Sequence, residues 1–201
     1  MKFKLKNPIK DTLFTEENIV SVCRCLRKLK KIVINGITVI ITDTDSNRTI
    51  SINGKEYVYK KFVHRFEVED DQAIKEREAG NKTIDRNQSI VCLIPENTKE
   101  SKEVYKLYSG LPTTVNINIP LIIDAPFELT TSRDSVLECK WNEIVRSEVY
   151  SAILEIINID KKINGIKALR FLNFGYDNVK SSYFISIFSA EYLNDLQNKE
   201  K

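Results

Sequence analysis

The chain has 201 residues, 42% of them hydrophobic, with 31 basic against 28 acidic side chains and a formal net charge of +3. That length fits one domain, or one domain with a small appendage, and the apolar share excludes a chain that is disordered throughout. The near-even charge gives no ground for nucleic-acid binding by itself. No run approaches the ~18 apolar residues of a membrane span, and Met1 to Lys6 lacks the apolar core of a secretion signal, so a cytoplasmic location is expected.

In chain order, Phe3 and Leu5 alternate with lysines, the pattern of a half-exposed strand, and Asn7-Pro8 turns the chain. Thr15-Glu16-Glu17-Asn18 is a helix start: a hydroxyl cap with two acids in the first turn, where the helix dipole favours them. Ile19, Cys23 and Leu26 follow at helical spacing, and Arg24, Arg27, Lys28, Lys30 and Lys31 are expected at a solvated helix C-terminus, with a nucleic-acid patch as the sharper alternative. Residues 31–68 predict an antiparallel meander, with strands at 31–35, 37–42, 48–52 and 55–68. Its tight turns fall at Asn35-Gly36 and Asn53-Gly54, pairs that readily take positive φ. In the last strand the apolar parity slips between Tyr59 and Phe62, which reads as a bulge. His64 lies in this strand with no partner cysteine, acid or serine evident in sequence and reads as a structural histidine.

Residues 69–87 are highly charged and carry either a short exposed helix before Gly80 or a mobile excursion. Buried strands are then expected at 89–95, at 104–111 and along Ile117, Ile119, Leu121, Ile122 and Ile123. Asp124-Ala125-Pro126 breaks the last of these, because proline has no N–H for a ladder, and Phe127-Glu128-Leu129 resumes it. Thr130-Thr131-Ser132-Arg133-Asp134 before Val136-Leu137 predicts a helix start, with Thr131 or Ser132 as N-cap. Arg133 then falls in the first turn, where a cation is disfavoured, so its presence points to an anion to be met there. Residues 141–157 carry a wide apolar stripe and predict a helix covering the sheet, with Trp141 as a packing anchor. A short helix is expected at 166–171, and a last segment capped by Ser181 or Ser182 carries Tyr183, Phe184, Ile187, Phe188 and Tyr192. Cys23-x-Cys25 lacks the spacing of a zinc or thioredoxin pair, so Cys23, Cys25, Cys92 and Cys139 are expected as reduced, buried thiols and no metal site is assigned.

The succession Leu111-Pro112-Thr113, an apolar strand, Ala125-Pro126-Phe127-Glu128-Leu129-Thr130-Thr131-Ser132-Arg133-Asp134-Ser135-Val136 and the pair Trp141-Asn142 resembles the segment that follows the nucleotide-binding domain in GHKL-type ATPases. It is most similar to sacsin-like ATP-binding proteins and more distantly to the ninety-kilodalton heat-shock chaperone. The resemblance covers some forty residues. The order helix, meander, charged excursion and then buried strands fits a mixed sheet with helices on one face, and the resemblance implies an α+β fold of that kind, a mixed and mainly antiparallel sheet with helices packed on one face, like ribosomal protein S5 domain 2. It implies a division into a remnant of an upstream nucleotide-binding domain at 1–10, a transducer-like middle domain at 11–162 and a helical segment at 163–201. In the chaperone family a Ser-Arg-Glu element carries an arginine to the γ-phosphate of ATP. Ser132-Arg133-Asp134 matches it with Asp in place of Glu, so the resemblance implies a catalytic role for Arg133 and nucleotide contact by Thr131, Ser132 and Arg133.

The sequence contains no GxxxxGK[ST], GxGxxG or DxGxG element and no GxSxG or HExxH motif. ATP and Mg2+ are therefore expected only through the upstream domain, and the chain alone is not expected to hydrolyse ATP. The partners implied are that upstream domain and a client protein or partner subunit; membrane is not among them. The alternative is a non-catalytic module that binds protein or nucleic acid.

Overall fold

The computed structural model describes residues 15–34, 36–80, 82–96, 105–117, 119–133, 135–165 and 167–168. The strand expected at Phe3 to Leu5, the segments expected from residue 166 onward (save 167–168) and Asp134 lie outside the described residues.

Helix α1 (Glu16–Cys23) starts where the sequence placed it, with the Thr15 hydroxyl accepting the Asn18 N–H at 3.3 Å. It ends earlier than expected. The carbonyl of Arg24 accepts the buried Arg48 guanidinium, which satisfies a helix-end acceptor from another element. Arg24 itself is buried, with its Nε donating to the Tyr59 hydroxyl at 3.1 Å. The basic run is thus not one solvated helix end: Arg24 turns inward, and residues 27–31 are exposed beyond the helix.

The meander forms as strands β1 (Lys31–Ile34), β2 (Ile37–Asp43), β3 (Asn47–Ile52) and β4 (Lys55–Glu67), each antiparallel to the next. Asn53 and Gly54, with φ of 49° and 88°, make the mirror-image turn that suits the twist of paired strands. The parity slip in β4 is not a bulge. Its pairing with β3 and with β5 (Asn87–Pro95) runs without a register shift. The slip marks a change of buried face: Tyr59 belongs to a core beneath α1, whereas Phe62 and Phe66 pack into a second core on the other side.

The charged stretch after β4 contains α2 (Asp71–Ala79), capped by the Asp70 carboxylate on the Ala73 N–H at 2.9 Å and anchored by buried Ala73 and Ile74. β6 (Tyr105–Ser109) and β7 (Leu111–Ile117) form a tight hairpin at Gly110, whose φ of 72° glycine adopts without a Cβ clash. The apolar run expected as one strand through Ile123 is split. Pro120 cannot donate to a ladder, and the strand resumes as β8 (Ile122–Asp124). After β8, among the described residues, the pattern continues as an isolated antiparallel bridge, Leu129 to Val136.

The fold is α+β, with one mixed sheet ordered β1-β2-β3-β4-β5-β8-β6-β7 in which only β6 and β8 run parallel. Neighbouring residues on the inner strands point to opposite cores. Cys92, Leu107 and Ile123 pack with α2 and α3 (Lys140–Asn164); Leu93, Tyr108 and Ile122 pack with α1. α2 and α3 share one face of the sheet and α1 covers the opposite face, which explains why β5 and β8 are apolar at successive positions rather than alternating.

Candidate functional site

The segment from Glu128 to Leu137 folds back on itself. The Leu137 N–H donates to the Glu128 carbonyl at 2.9 Å, and the Thr130 N–H donates to the Ser135 carbonyl at 3.1 Å. Within the loop, the Thr130 hydroxyl accepts the Ser135 N–H at 3.3 Å and lies 3.4 Å from the Ser132 hydroxyl. The hydroxyl residues that read as a helix cap instead close a hairpin loop. α3 begins at Lys140, with Cys139 as N-cap residue and no cap bond from its side chain. Its first N–H is taken from outside: Lys140 donates to the Glu76 carboxylate of α2 at 2.9 Å. Neither Thr131 nor Ser132 is an N-cap, and Arg133 does not sit in a helical turn.

What sets Arg133 apart is its backbone. Its φ of 59° places a β-carbon-bearing residue in the left-handed region, and its N–H donates to the Thr130 carbonyl at 2.9 Å. That conformation costs about 1–2 kcal/mol for an L-residue, and such strain concentrates at functional sites. The side chain crosses to the β6–β7 turn, where Nη2 donates to the Ser109 carbonyl at 2.9 Å and lies 3.4 Å from the Leu111 carbonyl. Among the described residues no carboxylate pairs with Arg133. Glu128, the acid nearest in sequence on the N-terminal side, is occupied by Arg77 at 2.6 Å and by Lys82. Thr131 and Ser132 beside it are exposed. The structure thus brings the three sequence-predicted residues onto one short loop, with the guanidinium folded onto neutral acceptors.

Two groups hold the loop and its docking turn, and sequence reasoning missed both. Asn142, fully buried on the first turn of α3, accepts the Glu128 N–H at 2.8 Å and donates to the carbonyls of Glu128 at 2.8 Å and Leu137 at 2.7 Å, pinning both stems of the loop. Its neighbour Trp141 is a packing anchor, with its indole N–H on the Pro126 carbonyl at 2.8 Å and the Arg77 guanidinium 4.0 Å over its ring. The adjacency of Trp141-Asn142 was the available signal. Asp124, at the end of β8, is buried. One carboxylate oxygen accepts the Gly110 N–H at 2.7 Å and the other accepts Arg27 Nε and Nη2 at 3.0 and 2.9 Å. The sequence marked Asp124 only as a strand break.

The remaining candidates are accounted for elsewhere. His64 has acids after all, supplied by α3: Nε2 lies 2.7 Å from Glu148 and Nδ1 3.2 Å from Glu155. Burial pushes the thiols of Cys23, Cys25, Cys92 and Cys139 above the usual range, with the Asp124 charge adding to the rise at Cys25 and Cys92. Such shifts favour the protonated thiol over the thiolate. Among the described residues no group of three or more His, Cys, Asp or Glu is placed to hold a metal ion, and no helix is long and apolar enough to cross a membrane. No family model, curated protein or solved structure matches the chain.

Proposed function

We propose that this chain is the transducer-like middle domain of a GHKL-type ATPase of the sacsin-like kind, completing an ATP site whose pocket belongs to an upstream domain. The observation that carries this reading is Arg133: a strained cation on a closed loop, matched by no carboxylate among the described residues, flanked by the exposed hydroxyls of Thr131 and Ser132. Its Nε and Nη1 have no partner among the described residues, so donors remain for a phosphate, and planar guanidinium groups suit phosphate oxygens. ATP supplies the phosphoryl group; adenine and Mg2+ are assigned to the upstream domain. This chain's part is to hold Arg133 where charge develops on the phosphoryl oxygens, with Thr131 and Ser132 as further donors, and to sense loss of that contact after hydrolysis. A cytoplasmic location accompanies this reading.

The test is ATP turnover by the intact ATPase with Arg133→Ala and Arg133→Lys, at matched nucleotide occupancy. Loss of about a hundredfold or more in kcat with nucleotide affinity retained is expected for Arg133→Ala, with Arg133→Lys recovering only part because it lacks the planar fork. Unchanged turnover removes the phosphate role.

A second reading, a module that binds a partner or client protein, is favoured by one surface. Val33 and Ile40, on the face of β1 and β2 away from α1, are 62% and 47% exposed, and β1 is the end strand of the sheet among the described residues. Binding that weakens linearly with the logarithm of salt concentration points instead to nucleic acid at the neighbouring lysines Lys28, Lys30 and Lys31.

A further inference from the structure

We infer that Asp124 is a positioning residue for Arg133, acting through the β6–β7 turn and balanced by Arg27. This rests on the reading of Arg133 as the phosphate-contacting residue. The geometry is a single chain of bonds. The Arg27 guanidinium meets Asp124 Oδ2 through two N–H groups at 2.9 and 3.0 Å, and Asp124 Oδ1 takes the Gly110 N–H at 2.7 Å. The residues on either side of Gly110 are Ser109 and Leu111, whose carbonyls hold Arg133 at 2.9 and 3.4 Å. Two further bonds fix the same turn: the Ser109 hydroxyl donates to the Phe127 carbonyl at 3.0 Å, and the Ala125 N–H donates to the Tyr108 carbonyl at 3.0 Å.

The asymmetry of burial says which end is the anchor. The Asp124 side chain is 2% exposed and the Arg27 side chain 45%. A carboxylate so placed is costly unless fully paired, and both of its oxygens are paired, one to a backbone N–H in the turn. Both this bond and those that hold Arg133 have one ionised partner, but the Asp124 carboxylate is buried and also ion-paired, whereas Arg133 is only half-buried and meets uncharged carbonyls. The turn is therefore the fixed part and Arg133 the releasable part. Arg27, on the exposed segment between α1 and β1, links the outer surface of the α1 layer to the loop that carries Arg133. A partner that draws Arg27 away loosens the turn and lowers its grip on Arg133.

The test uses the 201-residue chain with nitrogen-15 NMR, following hydrogen exchange of the Gly110 amide and of the Arg133 guanidinium N–H groups. The variants are Asp124→Asn, Arg27→Gln and Arg27→Lys, with the amides of Leu93 and Ile122 as controls for the sheet. Asp124→Asn is expected to speed exchange at both Gly110 and Arg133 by tenfold or more while the control amides keep their protection. Arg27→Gln, at a half-exposed position that leaves the core intact, is expected to do the same to a lesser degree, and Arg27→Lys to restore the wild-type rates in part. If Gly110 loses protection while Arg133 exchange stays at the wild-type rate in Asp124→Asn or Arg27→Gln, the relay is wrong. Should Asp124→Asn unfold, the two Arg27 variants decide. In the intact ATPase, Asp124→Asn is expected to lower kcat with KM unchanged. If Arg133→Ala leaves turnover unaltered, the phosphate reading fails, and the exchange result still judges the relay.

Discussion

Arg133 has a conformation that stability alone does not favour. A glycine at φ 59° avoids the steric cost of about 1–2 kcal/mol, yet the position holds an arginine whose side chain, among the described residues, meets backbone carbonyls. Arg133→Gly is therefore expected to leave folding stability within about 1 kcal/mol of wild type, the relieved strain offsetting the lost hydrogen bonds. A large loss in urea denaturation would assign the residue to folding instead. The arginine and hydroxyls drew attention to the loop in the sequence, but Arg133 is not a cation in the first turn of a helix. The local pattern of hydroxyls before an apolar pair fits a hairpin closure as well as a cap, and the choice was made by Asn142 and Glu76 from elsewhere in the chain. At Asp43, burial pushes the carboxyl up, but the hydrogen bonds and charges of Lys61 and Arg48 outweigh it and hold it below the usual range. An unfolded aspartate titrates near ~3.9. The folded group is the stronger acid, so its stabilisation is complete above that value and is lost as pH falls through the folded one. Asp43→Asn should flatten the acid limb of a stability-against-pH profile below about pH 4, and an unchanged limb would show the pair to be ineffective.

Among the elements, the meander was the most readable. Two of its three turns carry a glycine at positive φ, Gly36 and Gly54, and β-branched residues fill its strands. Where reading failed, long-range partners decided the outcome. α1 stops at Cys23 because Arg48 takes the Arg24 carbonyl from β3. α3 begins at Lys140 because Glu76 caps it from α2. The parity slip in β4 was visible, but a bulge and a change of buried face leave the same mark in sequence. The Thr130–Ser135 loop depends most on Asn142. Asn142→Ala removes three hydrogen bonds and takes this partner from the Glu128 N–H and the Leu137 carbonyl, while the Glu128 carbonyl keeps the Leu137 N–H. Each such group costs about 1–3 kcal/mol when left unpaired, and partial relaxation is expected to bring the total to about 3 kcal/mol. Hydrogen exchange should rise first at the amides of Leu137 and Thr130. A loss under 1 kcal/mol would mean that the loop is held elsewhere.

Across the whole molecule, the sheet separates two cores. Cys23 and Cys25 lie in the layer under α1 and Cys92 in the layer under α3. Thiol alkylation against denaturant therefore reports each layer separately. If the shared strands β5 and β8 unite them, Cys25 and Cys92 become reactive at the same midpoint, whereas Cys139, half-buried at the start of α3, reacts earlier. Two separated midpoints would show that the layers unfold independently. The α+β class and the mixed, mainly antiparallel sheet were legible from the order of strands and helices. The placing of α1 on the opposite face from α2 and α3 was not, because it depends on which parity of each strand meets which helix. The proposed contact between Arg133 and the terminal phosphate is tested most directly by the nitrogen-15 signal of the Arg133 guanidinium in the intact ATPase, loaded first with a non-hydrolysable ATP analogue and then with ADP. A shift and slowed N–H exchange are expected with the triphosphate analogue, with a return to the nucleotide-free position with ADP. The same signal in both states, with both nucleotides bound, would contradict that contact.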